Sequence, residues 1–522
     1  MNIKKILSFV IILTMLLSVL SACTGDKGGD DVTTPSDTTT DPTDVTTDPD
    51  DLKKDVLFDV SAFKSSYSGE TVNILCWDSE HPEFEVNKSE LSGGEPLLDA
   101  IYSRNMKLQD ALGVTLVFTE HTDGASLSPE VLKYVEMQAD GGIPFDIMAV
   151  YSRTAAVLSQ KGHLLPVNYY PEYINLNNSW YPDALVAETN IKGNTYYVSG
   201  DISTNLLYMT YGFIFNKDVL KDNPDIGYTE ESLYKLVEEN KWTLEEMYKL
   251  IGSYWLDADE NGVKSTEDGF GLRSYNYHFD AFYTGSDLQY LTVDNSATES
   301  GKLITISSDY IGQKSIDLAD TLGDLLASNN ACNDSDSGWN FTKDKDLSIV
   351  TRVRDIQKIH DSENNDMRYG VLPIPKYDLA QADYKCVAGN PLTLWGISAD
   401  TVDYDREVIA AAVIEYMGYL AQQETTEVIF ESLFKGRYSE FPEDAASFEI
   451  IRRTTSFDIG RFFTEVISID FGIADEWSSA VAKSQKWTTK AQMLKRLFEQ
   501  GVLNASNDFW KLTDTLKPTP KS

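Results

Sequence analysis

The chain has 522 residues, of which 44 are Lys or Arg and 82 are Asp or Glu, giving a formal net charge of -38. A chain this acidic lacks the electrostatic footprint that nucleic-acid binding requires, so no nucleic-acid partner is expected. The sequence contains no His-Glu-x-x-His, no Gly-Lys-Ser/Thr phosphate loop and no Gly-x-Ser-x-Gly elbow. With its five histidines scattered, it offers no motif for metalloprotease, nucleotide or serine-hydrolase chemistry, and no enzyme is expected.

Residues 1–22 carry Lys4 and Lys5 followed by an apolar run from Ile6 to Leu20, the pattern of a secretory signal peptide and too short for a spanning helix. Leu20-Ser21-Ala22-Cys23 resembles the lipobox of bacterial lipoproteins, which implies lipidation, palmitate included, at Cys23. Several acyl chains on one residue would hold the protein stably on the extracellular face of the cell membrane. Residues 23–54 are rich in Thr, Asp, Pro and Gly and cannot bury enough surface to offset the entropy of ordering, so a disordered acidic tether is expected. About 460 residues follow, too many for one core and suited to two lobes. Beyond Cys23 stand only Cys76, Cys332 and Cys386, so a disulfide framework is not expected.

Residues 71–78 read as a strand, 97–112 as a helix, 114–118 as a strand and 129–139 as a helix. The apolar run 145–150 follows Gly141-Gly142-Ile143-Pro144 and exits into Tyr151-Ser152-Arg153-Thr154, then into a short helix broken by Gly162. A strand whose polar exit feeds a helix N-terminus is where open α/β sheets place ligands. Residues 196–198 are the expected first crossing between lobes. Residues 206–215 read as a strand, and 229–240 and 243–255 as helices, the second capped by Thr243 with Glu246 three residues on. A strand at 347–352, a return at 367–375, a strand near 388–398 and a long helix at 406–423 complete the reading. The alternation argues for mostly parallel, mixed sheets flanked by helices.

Residues 161–168 (Lys-Gly-His-Leu-Leu-Pro-Val-Asn), Tyr196-Tyr197-Val198-Ser199-Gly200-Asp201, residues 213–220 and residues 369–377 together resemble the extracellular solute-binding proteins of ABC importers, the large sugar-binding family. The resemblance covers residues 71 to 511. It implies a two-lobed periplasmic-binding-protein α/β fold with the ligand cleft between lobes, 55–200 with 386–441 forming lobe one and 201–385 with 442–522 lobe two. It also implies a binding protein that captures a carbohydrate, an oligosaccharide above all, outside the membrane and delivers it as a monomer to the transmembrane subunits of a permease. A peptide or other organic solute, and a surface carbohydrate-active enzyme or adhesion module, stand as alternatives.

Residues 257–268 carry oxygen donors at positions 1, 3, 5, 9 and 12 of a calcium loop with Gly262 at position 6, so a structural calcium ion is expected on Asp257, Asp259, Asn261 and Asp268 with the carbonyl of Val263. Lys264 stands where such loops usually carry an apolar residue. The chain is also rich in rings, 28 Tyr and 9 Trp, which suit the C–H faces of sugars. Strand ends in the resembling family meet the ligand, which selects Trp77, Asp78, Tyr151, Ser152 and Asn390 from lobe one and Asp201, Arg352 and Asp458 from the hinge and lobe two. Trp77 and Tyr151 would stack, with Trp395 a further aromatic in the same region, and the polar groups would bond hydroxyls.

Overall fold

The computed structural model describes residues 55–76, 94–121, 128–364, 366–401, 403–439 and 441–519. The signal peptide, Cys23, the tether, Trp77 and Asp78 lie outside the described residues.

The first sheet has the strand order Thr115–Glu120, Thr71–Cys76, Ile147–Tyr151, Thr393–Ser398, Leu164–Leu165. Its first three strands are parallel, and Thr393–Ser398 runs antiparallel to both neighbours. The central strands are continuous apolar runs, as strands covered on both faces must be: Ile147, Met148, Ala149 and Val150 are all buried. One covering helix, Pro96–Leu112, starts on a proline at its first turn and stops at Gly113, whose φ of 74° a side chain would resist. Another, Tyr404–Gln423, is apolar almost all round and buried accordingly. Trp395 is fully buried in mid-strand opposite Ala149, so it belongs to the core and not to a stacking surface.

The second sheet has the order Ala331–Asn333, Leu272–Ser274, Ser348–Arg352, Tyr211–Asn216, Tyr369–Leu372. Tyr211–Asn216 is antiparallel to both flanking strands. The strand expected over 206–215 is half helix: Asn205–Met209 forms a helical turn before Tyr211–Asn216 begins. A short apolar run fits either element, and here Asn205 decides, its amide donating to the Pro391 carbonyl at 3.0 Å and so holding the turn against the other lobe's entry strand. The expected capping box at Thr243 does not form either. Thr243 caps Leu244–Ile251 without a side-chain hydrogen bond, and Glu246 instead accepts from the Tyr228 hydroxyl at 2.7 Å and pairs with Lys249.

Between the sheets the chain is held by main-chain exchange. Val198 and Trp395 trade N–H···O bonds of 2.9 and 2.8 Å, and the Gly389 N–H donates to the Met209 carbonyl at 2.8 Å. Cys386–Val387 pairs in parallel with Thr455–Ser456. The 29-residue helix Trp487–Thr515 touches elements of both lobes: Ser506 Oγ accepts from the Ile304 N–H at 3.0 Å, and Gln160 Nε2 donates to Asp508 at 2.7 Å.

Candidate functional site

Two strand ends face a common space beside the hinge. Tyr151 closes the central strand of the first sheet and leads directly into the helix Ser152–Lys161. Arg352 closes Ser348–Arg352 in the second sheet, while Tyr275, Asn276, Tyr277 and His278 follow its Leu272–Ser274 strand. An ion pair of 2.8 Å joins Arg153, from the first lobe, to Asp475 at the start of Ile473–Ala482. Burial pushes the Tyr151 phenol up, and the same phenol lies in the fields of Arg153 and Asp475. The Tyr277 phenol is raised by its bond to Tyr275 and by burial, and it lies in the fields of Asp475 and Arg352. The Asp475 charge thus acts on tyrosines beyond both strand ends. Tyr277 is 52% exposed, an aromatic ring left open to solvent.

Around this space stand buried polar atoms without a protein partner: Arg153 Nε, Arg352 Nε, Asn276 Oδ1, His278 Nδ1, Asp280 Oδ1 and Asn390 Oδ1. An unpaired buried polar group costs about 1 to 3 kcal/mol, so a concentration of them on both sides of one hinge signals groups kept for a polar ligand. Burial, reinforced by the nearby Arg352 charge, lowers the His278 pKa to about 3, leaving a neutral imidazole. Asp280 is pushed up to about 6 by burial although Arg461 pairs with it at 2.8 Å.

The fold has many solved counterparts. The sugar-binding protein MalE of Xanthomonas citri superposes with a TM-score of 0.55 at 13% identity, covering 86% of this chain and 100% of that one. UgpB of Mycobacterium tuberculosis, solved with glycerophosphocholine, gives 0.51 at 16% identity with 84% and 99% covered. A cyclo/maltodextrin-binding protein complexed with maltotetraose gives 0.50 at 11% identity with 86% and 98% covered. The chain has the periplasmic-binding-protein fold. No family model and no curated protein matches the sequence.

In periplasmic-binding-protein terms, the residues expected at the site divide sharply. Tyr151, Arg352 and Asn390 are brought together beside the hinge. Ser152 is not available to a ligand: it is fully buried, and its hydroxyl donates to the Asn390 carbonyl at 2.7 Å, which makes it a pin between strand and hinge. Asp458 is also structural. Its buried carboxylate accepts from the Gly460 N–H at 2.7 Å and the Tyr290 N–H at 3.0 Å, capping Ile459–Phe462, and burial with Glu188 nearby pushes it up to about 7. Asp201 accepts from Thr426 Oγ1 at 2.9 Å and faces a separate groove of about 630 Å³ lined by Trp180, Pro182, Ser203 and Arg452. The sequence reading missed Arg153, Asp475 and the run from Tyr275 to His278. That run, two aromatic rings alternating with polar groups just after a strand, was the available signal.

At the expected cation loop, carboxylate oxygens of Asp257, Asp259 and Asp268 lie within 4.8 Å of one another. Gly262 has φ of 73°, which the turn at position 6 requires, and Asp257 accepts its N–H at 2.6 Å. Lys264 turns away, donating to the carbonyls of Leu326 and Ser328 at 2.8 and 2.6 Å, which explains a lysine at a position usually apolar.

Proposed function

We propose that this chain is the solute-binding lipoprotein of an ABC importer, of the sugar-binding family, capturing a carbohydrate outside the membrane and delivering it to a permease. One observation carries the reading: unpartnered buried polar atoms and tyrosine rings meet at strand ends from both lobes beside the hinge. Sugars need both kinds of contact, since their C–H faces stack on rings while each buried hydroxyl needs a hydrogen-bond partner. Asp475 and Asp280 are each held by an arginine, at 2.8 Å in both cases, which fixes the guanidinium groups as donors toward a bound hydroxyl.

Anchoring rests on the Leu20-Ser21-Ala22-Cys23 lipobox, with the protein working as a monomer tethered by lipid on Cys23. Among the described residues no helix is long and apolar enough to cross a membrane. A calcium ion on Asp257, Asp259, Asn261, Val263 and Asp268 would serve structure. A thermal-shift screen of mono- and oligosaccharides tests the main reading. At least one sugar should raise the melting temperature; a response to peptides or other organic solutes alone would overturn it. For the anchor, Cys23→Ser should abolish lipid labelling and membrane pelleting, and retention of both would refute it.

A further inference from the structure

Among the described residues, the cleft holds one arginine that no carboxylate pairs. Arg153 is matched by Asp475 at 2.8 Å, and Arg461 by Asp280 at 2.8 Å. Asp355, the acid whose field reaches Arg352, is paired with Lys358 at 3.0 Å and also accepts from the Thr351 hydroxyl. His278 is neutral and adds no further positive charge. Arg352 itself has no carboxylate within ion-pair distance among the described residues; its Nη1 approaches only the Met209 sulfur, at 3.7 Å, and its Nε has no partner.

Its position is built. A Cβ on Gly389 would come within 3.1 Å of Arg352 Cδ and 2.9 Å of the Met209 carbonyl, so the hinge uses glycine where the arginine stem crosses it. This lays the arginine stem against Gly389, next in sequence to Asn390, with its charge acting on the Tyr277 phenol. A planar fork of donors that meets no carboxylate among the described residues is suited to an oxyanion, which it can bind through two parallel hydrogen bonds.

The geometry points to a saccharide that bears an anionic group, a uronate carboxylate or a phosphate ester, with Arg352 as the residue that pairs with it. The inference rests on the carbohydrate-binding reading and narrows it. Calorimetry with two matched pairs tests it: glucuronate against glucose, and glucose 6-phosphate against glucose. At least one acid should bind ten- to a hundredfold more tightly than its neutral partner, about what a charged hydrogen-bonded contact supplies. Which acid does so tells carboxylate from phosphate.

Arg352→Gln should remove that preference while leaving the melting temperature of the ligand-free protein in place. Raising sodium chloride from about 50 to 500 mM should weaken the acid on the wild-type protein and leave neutral sugars unaffected, a readout independent of whether the variant folds. Equal or tighter binding of the neutral partners would overturn the inference and leave the carbohydrate reading standing. Binding of neither acid would overturn it too, and if no saccharide of any kind bound, the carbohydrate reading would fall with it.

Discussion

Two buried polar clusters of this protein are built to opposite plans. In the first lobe, Glu415 spends both oxygens inside the protein: one accepts from Asn178 Nδ2 at 2.6 Å and the Asn175 N–H at 3.3 Å, the other from the Tyr181 hydroxyl at 2.8 Å. Asn178 then reaches the start of the folded chain, accepting the Val56 N–H at 2.9 Å and donating to its carbonyl at 3.0 Å. Beside the hinge, by contrast, Arg352, Asn276, His278 and Asn390 each keep a buried atom unpaired. A satisfied network fixes one packing, whereas unpaired groups become worth their cost only when something else completes them. The first cluster is architecture and the second is recognition. Substitutions should therefore change stability in one and affinity in the other.

The largest effect is expected where the two plans meet, at the ion pair beneath the cleft. Arg461 is buried, bonds Asp280 and also donates to the Ala388 carbonyl of the hinge. Arg461→Met removes one partner and leaves Asp280 buried alone, which should cost about 3 to 5 kcal/mol in chemical denaturation. Asp280 is already raised to about 6 by burial, so the loss should be smaller at pH 5, where it takes up a proton, than at pH 8. Adding Asp280→Asn should recover part of the loss. A single variant as stable as wild type at pH 8 would show the pair contributes nothing.

Next comes the cleft itself. Tyr277 is half exposed and packs little core, so Tyr277→Ala should lower sugar affinity about tenfold to a hundredfold while shifting the melting temperature little. Tyr151→Ala should weaken binding comparably. Unchanged affinity in both would put the site elsewhere.

What the sequence could and could not tell follows from the same contrast. Strands buried on both faces announce themselves as apolar runs, so Ile147–Tyr151 and Thr393–Ser398 were legible, as was the long apolar helix Tyr404–Gln423. Residues 205–209 were misread because an apolar run has no period of its own, and the Asn205 contact with the opposite lobe that holds the helical turn in place cannot be seen in the sequence. Among site residues, chemistry was readable but engagement was not. Ser152 and Asp458 are the right kinds of residue near the right strand ends, yet the Asn390 carbonyl and two backbone N–H groups have already claimed them. Arg153 could not be distinguished from a solvated arginine until Asp475, over three hundred positions away, was placed against it.

A smaller and pH-dependent effect should come from the closed cluster. Burial, with hydrogen bonds opposing it, raises Glu415 to about 7 from an ordinary value of 4.5. The folded state therefore holds a proton that the unfolded chain releases. That stabilisation is complete below the ordinary value and is lost as pH rises toward and through 7. Across pH 5 to 8 this removes about 1 to 3 kcal/mol from the wild-type protein. Glu415→Gln cannot ionise, keeps an oxygen for Asn178 and Asn175, and offers Tyr181 a donor instead of an acceptor, so its stability should be flatter over the same range. Sugar affinity should not change. A Glu415→Gln profile as steep as the wild type's between pH 5 and 8 would mean that Glu415 does not change protonation over this range.

The smallest effect is expected at the acidic loop, which belongs to neither cluster. Three carboxylates within 4.8 Å repel one another, and the loop holds them there by spending Asp257 on the Gly262 N–H and Asp268 on the Ala258 and Ser265 N–H groups, at 3.2 and 2.9 Å. A divalent ion would relieve the repulsion, and extracellular loops of this type hold calcium at roughly 0.1 to 1 mM. A few millimolar calcium would then stabilise the folded protein by about 1 to 2 kcal/mol, since only the folded state presents the three oxygens together. In a chain this long that amounts to about 1 to 3 °C of melting temperature, reversed by chelator. Asp268→Asn should abolish the response, because Asp268 is the buried member of the set, whereas Asp259→Asn at the exposed edge should only weaken it. Sugar affinity measured with and without chelator should agree, because the loop shares no residue with the cleft. Identical melting curves in calcium and in chelator would leave the loop a solvated acidic turn.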